Sequence, residues 1–116
     1  MPRIKHVVLM RFKPEVTQET IDGIEAELRH IQGQLPGLLE FSMGPNVSKE
    51  SVNKGFTHGF VMTFASAEDL QIYLPHPDHV IVMPKIIENL DGGLDGVMIM
   101  DWEVPALVPR LVPGCF

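Results

Sequence analysis

Two histidines three residues apart, in the segment LPHPDHV at positions 74–80, are the side chains of this sequence best suited to acid–base chemistry. Pro77 is favoured at the first position of a helix, so His76 beside it is explained as part of a helix start. His79 has no such structural explanation. The positive end of the helix dipole disfavours a cationic histidine there, so His79 is expected to be neutral and available as a general base near pH 7.

A metal site is the alternative use of the same segment. The spacing of His76 and His79, together with histidines elsewhere in the chain, is compatible with zinc or another transition metal. However, no cysteine lies nearby, and the adjacent carboxylate of Asp78 is explained by the helix start, where a negative charge complements the dipole. We therefore expect no metal ion and no other cofactor.

Two further histidines lie in the middle of apolar strand patterns. Residues 3–12 and 55–64 alternate with period two, which predicts β-strands. Burying an unpaired imidazole costs on the order of 1–3 kcal/mol, so His6 and His58 each need a polar partner. The other residues on their faces are apolar: Ile4, Val8, Met10 and Phe12 beside His6, and Phe56, Phe60, Met62 and Phe64 beside His58.

The elements that position these histidines follow from changes of hydrophobic period and from capping signals. Apolar residues at spacings of three and four predict an amphipathic helix after the first strand. The predicted elements are a strand over 3–12, a helix from Thr17 to Leu35, a strand over 38–47, a strand over 55–64, a helix from Ser66 to Tyr73, a helix from Pro77 to Leu90 and a strand over 94–103.

This βαββ(α)αβ order predicts an α+β, ferredoxin-like fold, with helices on one face of a four-stranded antiparallel sheet. Strands one and three are then central neighbours, so their two histidines are expected to face one cavity between sheet and helices. Apolar walls with a few convergent polar groups are typical of small-molecule sites. The expected lining is His79 and Tyr73 from the helical layer, and His6, His58, Phe60 and Met62 from the sheet.

The other face of the sheet, here called the open face, also carries apolar residues. Val7 and Leu9 of strand one and Val61 of strand three lie on it. An exposed apolar sheet face calls for a partner, and face-to-face pairing of two copies would bury it symmetrically. We therefore expect a homodimer through the open face.

Composition and charge exclude several classes of protein. The 116 residues predict one domain, over residues 1–103, followed by a proline-rich C-terminal arm over residues 104–116. A net charge of −6 disfavours nucleic acid and anionic membrane surfaces as partners. With a single cysteine, Cys115, no internal disulfide is possible. We therefore expect a reduced, cytoplasmic protein.

Three segments together resemble the stress-responsive A/B barrel (Dabb) domain family over about residues 3–103. They are IKHVVLMRFKPEVT, GFTHGFVMTF followed by SAEDLQIYLPHPDHV, and GVMIMDWE. The resemblance implies a dimeric α+β barrel. Within the family, the pattern is similar to that of plant polyketide cyclases, which close a linear poly-β-ketide by intramolecular aldol condensation without a metal.

The resemblance also implies roles for the polar residues. His79 would remove the acidic proton between two carbonyls, Tyr73 would hydrogen-bond His79 or the substrate carbonyl, and His6 and His58 would orient the substrate. Two interpretations stay open at this point. One is a cofactor-free cyclase or related lyase; the other is a non-catalytic stress-responsive dimer whose histidines form a structural polar cluster.

Overall fold

The computed structural model describes residues 2–105 of the chain. The strands are β1 (Arg3–Met10), β2 (Leu38–Pro45), β3 (His58–Phe64) and β4 (Val97–Val104), and the helices are α1 (Gln18–Gln34), α2 (Ala67–Tyr73) and α3 (Pro77–Glu88), with a short 3₁₀ helix over Gly93–Gly96. Every predicted strand and helix is present in the predicted order. Of the predicted arm, all but the first two residues lie outside the described residues.

The four strands form one antiparallel sheet in the order β2-β3-β1-β4. This order confirms the ferredoxin-like fold and places β1 and β3 as central neighbours. In the register, His6 lies between Met62 of β3 and Asp101 of β4, and Met10 lies opposite His58. The register therefore places Asp101 beside His6 and places His58 beside Met10 instead.

Side-chain caps fix where the helices begin. The hydroxyl of Thr17 accepts a hydrogen bond from the backbone N–H of Thr20 (3.2 Å), and that of Ser66 accepts one from the N–H of Asp69 (3.3 Å). The Ser66 hydroxyl also donates to the Asp69 carboxylate at 2.8 Å. Such caps contribute about 1 kcal/mol each, because they satisfy N–H groups that lack partners within the helix.

The start of α3 is built by the LPHPDHV segment as its sequence predicts. Pro77 occupies the first turn, and Nδ1 of His76 accepts a hydrogen bond from the backbone N–H of Asp78 at 3.1 Å. His76 is thus a helix cap. A turn of three residues, 74–76, joins α2 to α3, so Tyr73 at the end of α2 and His79 in the first turn of α3 are close in space.

The core lies between the helices and one face of the sheet. Its fully buried side chains include Met10, Leu28, Met62 and Phe64. The helices cover the edge strand β4 only partly, since Ile99, which points to the helical side, is 59% exposed. This incomplete cover leaves a gap between α3 and β4.

The open face carries mostly apolar side chains on β1, β3 and β4. Its most exposed large side chains are Val61, Met98, Met100 and Trp102. In the register, Met100 lies beside Val7 and Trp102 beside Lys5. Within the part of the chain that the structure describes, no helix is long and apolar enough to cross a membrane.

Candidate acid–base site

A cavity of about 230 Å³ lies between the sheet and helices α2 and α3, where β4 is left uncovered. Three polar side chains reach it: His6 from β1, Tyr73 from α2 and His79 from α3. Every other described residue on its wall is apolar, including Phe60 of β3. The structure thus brings together four of the six site residues that the sequence predicts.

His6 is buried and is held by a carboxylate of the neighbouring strand. Its Nδ1 lies 2.6 Å from Oδ1 of Asp101, whose side chain is 40% exposed. Because an ionised carboxylate only accepts hydrogen bonds, His6 donates from Nδ1, which leaves Nε2 as the nitrogen available to a ligand. Asp101 supplies the polar partner that a buried imidazole requires.

Asp101 is a site residue that the sequence analysis missed. It is one of two acidic residues in the strand segment GVMIMDWE, the other being Glu103, and alternation places both on the face of Val97 and Ile99. A carboxylate that follows two apolar residues on one strand face was the available signal. Only the pairing of β4 with β1, which sets Asp101 opposite His6, shows what it binds.

His79 is half-buried, and its orientation is fixed by the turn before α3. Its Nδ1–H donates to the carbonyl oxygen of Leu74 at 2.8 Å, so Nε2 is the unprotonated nitrogen of the neutral ring. Burial lowers the pKa of His79 below its ordinary value, and charges on His6 and His76 add to this, while the bond to Leu74 opposes it. His79 is therefore a neutral imidazole near pH 7, with burial rather than the helix dipole as the main cause.

Tyr73 lies beside both imidazoles. Its ring centroid is 4.4 Å from that of His79, at an interplanar angle of 44°, and 6.0 Å from that of His6 in an edge-to-face arrangement. Only 1% of Tyr73 is exposed, and burial raises the pKa of its hydroxyl well above the ordinary value. The hydroxyl therefore keeps its proton and is available as a hydrogen-bond donor.

The expectation that His58 shares the cavity with His6 is wrong. His58 is the first residue of β3 and pairs with Met10, four residues along β1 from His6, or about 13 Å at 3.3 Å per residue. Its Nδ1 is 2.9 Å from the hydroxyl of Thr57, and its ring meets the edge of Phe12. His58 borders a different hollow, beneath the loop of residues 46–57.

The expectation that Met62 lines the cavity is also wrong. Met62 lies between His6 and Phe41 in the register of the sheet, on the correct face. Its side chain, however, has no exposed surface and does not border the cavity. It lies in the buried core between the sheet and the helices.

The arrangement is suited to moving protons within an apolar pocket. It offers a neutral imidazole as base, a phenol as donor, and a second imidazole backed by a carboxylate. A low local dielectric strengthens each hydrogen bond that these groups make to a ligand. Within residues 2–105, no three His, Cys, Asp or Glu side chains lie close enough to share a metal ion.

Comparison with known proteins identifies related sequences. A family model described as "Stress responsive A/B Barrel Domain" matches residues 4–104. The stress-response A/B barrel domain-containing protein HS1 of Arabidopsis thaliana is 32% identical over 100 residues, which cover 86% of this chain and 88% of that protein. Olivetolic acid cyclase of Cannabis sativa is 29% identical over 77 residues, covering 66% of this chain and 76% of the enzyme.

A similar fold is found among solved structures. A dimeric ferredoxin-like protein of unknown function from Jannaschia sp. CCS1 superimposes with a TM-score of 0.82 and 30% sequence identity. The match covers 88% of this chain and 99% of that one.

Proposed function

Because the chain belongs to the stress responsive A/B barrel domain family, we propose that it is a small-molecule enzyme that performs acid–base chemistry without a cofactor. The observation that carries this proposal is the cavity in which Tyr73 lies against His79, facing the His6–Asp101 pair. His6, Tyr73 and His79 reach an apolar pocket. The two histidines are each held in a defined tautomer by a hydrogen-bond acceptor of the protein.

The proposed reaction is an intramolecular aldol-like cyclisation of a carbonyl-rich substrate. Nε2 of His79 removes a proton from a carbon next to a carbonyl, while the Tyr73 hydroxyl donates a hydrogen bond to that carbonyl oxygen. The resulting enolate carbon attacks a second carbonyl carbon, forming the new C–C bond. The alkoxide left on the second oxygen takes a proton from His6, whose positive charge Asp101 stabilises. His79 then returns its proton to the pair through solvent.

Three observations support this assignment. The neutral state of His79 provides the base, and general bases of this kind contribute typically 10²- to 10⁴-fold. The buried, protonated Tyr73 provides the donor. The name of the related olivetolic acid cyclase supports cyclisation as the reaction class.

Deuterium exchange tests the proton-removal step without knowledge of the natural substrate. Cyclohexanone in D₂O exchanges the hydrogens next to its carbonyl, and NMR follows the loss of their signal. We expect the protein to accelerate this exchange above buffer, and His79→Ala to lose the acceleration by about 10²- to 10⁴-fold. His30→Ala, which removes an exposed histidine of α1, is the matched control and should exchange at the wild-type rate.

Either of two results would reject the proposal. Undiminished exchange in a folded His79→Ala protein would remove His79 as the base. Exchange by the wild-type protein at the rate of buffer alone would favour the second candidate function, a non-catalytic dimer with a structural histidine cluster. That candidate has its own support, since His6 and His79 each already have a protein hydrogen-bond partner.

We also propose that the protein is a homodimer formed through the open face. Val61, Met98, Met100 and Trp102 give this face an apolar surface that water contacts in the single chain. Burying it against a second copy is favourable by about 25 cal/mol for each Å² removed from water. The similar structure from Jannaschia is described as dimeric, which supports the same arrangement here.

A further inference from the structure

We infer that the hollow beneath the loop of residues 46–57 receives Trp102 of a second copy of the chain, and that this contact anchors the homodimer. The hollow has a volume of about 600 Å³ and plays no part in the proposed acid–base site. This inference rests on the proposed homodimer, since it names the side chain and the receiving site that hold the two copies together.

The hollow reaches one end of the open face. Leu9 and Met98 border it, and the register of the sheet aligns Gly59 and Gly44 with them in one row across the four strands. Both glycines also border the hollow, so the backbone of β2 and β3 is bare at that point. A Cβ atom added to Gly44 would meet no other atom within 4 Å. The row therefore leaves room for a large side chain from another molecule.

The lining of the hollow is suited to an indole ring. Val52 and Phe56 of the loop provide apolar contacts. Asn46, Ser48 and Glu50 also border the hollow, and each has a side-chain oxygen that can accept a hydrogen bond from the indole N–H. An engineered cavity of about 150 Å³ holds a benzene ring, so the two fused rings of an indole have ample room here.

Trp102 is the chain's only tryptophan, and β4 presents it on the open face. It is 46% exposed in the single chain. Lys5 of β1 lies beside it in the register, but the Lys5 ammonium group donates to the hydroxyl of Thr63 on β3 at 2.8 Å. The charge is thus directed away from β4, and the indole ring is available to an apolar partner. Tryptophans that fill a pocket are frequent anchors of protein interfaces.

The spacing of Trp102 and the hollow fits a two-fold interface. If Trp102 of one copy enters the hollow of the other, symmetry requires the reverse contact as well. Met98 at the hollow and Trp102 are four residues apart on β4, or about 13 Å at 3.3 Å per residue. The row of the sheet between them consists of Val61, Val7 and Met100 and is apolar. A two-fold axis along this middle row brings each Trp102 over the row that borders the opposite hollow.

Dissociation constants of the dimer, measured by sedimentation equilibrium, test this contact with a double-mutant cycle. Trp102→Ala removes the anchor, and Gly44→Phe fills the floor of the hollow without a clash at Cβ in the single chain. We expect each substitution to raise the dissociation constant at least about 30-fold, as for other buried tryptophan anchors. Because both remove the same contact, the double variant should be weaker than either single variant by less than about threefold.

The fluorescence of Trp102 provides a second measurement, because no other tryptophan contributes to the emission. At a concentration where the wild-type protein is dimeric, its emission should lie at shorter wavelength than that of Gly44→Phe. Acrylamide should also quench the wild-type protein less, since the indole is shielded inside the hollow. Equal quenching of the two proteins overturns the inference.

Gly23→Phe is the matched control for the substitution in the hollow. Gly23 is exposed on α1, and a Cβ atom added there also meets no other atom within 4 Å. This variant should keep the wild-type dissociation constant. An unchanged constant in folded Gly44→Phe overturns the inference, as do effects of the two substitutions that multiply in the double variant. Either result leaves the proposed homodimer standing, whereas a monomeric wild-type protein rejects both.

Discussion

The two imidazoles of the cavity are held in the same tautomer by different means. His6 donates from Nδ1 to the Asp101 carboxylate, and His79 donates from Nδ1 to the carbonyl oxygen of Leu74. The charged partner stabilises a protonated imidazole, whereas the neutral carbonyl does so much less. This difference fits His6 for giving a proton and His79 for taking one.

The lowered pKa of His79 leads to a prediction on pH dependence. The ring signal of His79, followed by NMR, should titrate with a midpoint below 6.5, and in urea the unfolded chain should return it to about 6.5. Since the unfolded state binds more protons between those two values, the free energy of unfolding should decrease as pH falls from 6.5 through the folded pKa. Exchange activity should be lost over the same range, because the base becomes protonated. A midpoint above 6.5 would contradict this assignment.

The short connection between α2 and α3 is the element that sets the geometry of the helical side. Ser66 fixes where α2 begins, and His76 fixes where α3 begins. Tyr73 and His79 are thereby the last residue of one helix and a first-turn residue of the next. Their rings meet across the three-residue turn that joins the two helices.

Removal of the α2 cap should be measurable as a loss of stability. Ser66→Ala takes away the hydroxyl that binds the N–H and the carboxylate of Asp69, so urea unfolding should show a decrease of about 0.5–2 kcal/mol. Ser51→Ala, in the exposed loop of residues 46–57, is the matched control and should change stability by less than about 0.5 kcal/mol. Equal effects of the two substitutions would show that the cap does not stabilise α2.

The sequence predicts the elements well and the register poorly. Period and capping residues such as Thr17 and Ser66 act locally, so helix starts can be predicted from neighbouring residues. Alternation assigned His58 and Met62 to the face of the sheet that the helices cover. It specifies neither which residue of the neighbouring strand lies opposite His58 nor that packing covers Met62 completely. Strand register depends on pairing between segments that are distant in the sequence. This pairing places His58 opposite Met10, about 13 Å along β1 from His6, and places Asp101 opposite His6.

At the scale of the whole molecule, the two faces of the sheet differ in what covers them. One face holds the core and the cavity, and the other presents an apolar surface outside them. A change on the open face should therefore alter assembly without reaching the cavity. The separation allows the proposed homodimer and the proposed acid–base site to be tested independently.

A charge placed on the open face should separate the proposed dimer. We expect Met100→Asp to shift the protein from dimer to monomer in light scattering coupled to size-exclusion chromatography, because burying an unpaired carboxylate between two copies is costly. Ile72→Asp, at an exposed position of α2 on the helical side, should leave the dimer intact. A wild-type protein that is monomeric at all concentrations tested would contradict the proposal.

The hydrogen bond between His6 and Asp101 joins residues 95 positions apart, near the two ends of the described chain. A ribosome adding 5–20 residues per second needs roughly 5 to 20 seconds to deliver Asp101 after His6. Throughout that interval, the nascent chain holds an imidazole whose partner does not yet exist. The candidate site is therefore complete only after β4 is synthesised, and an interrupted translation product lacking β4 carries His79, the proposed base, without the His6–Asp101 pair.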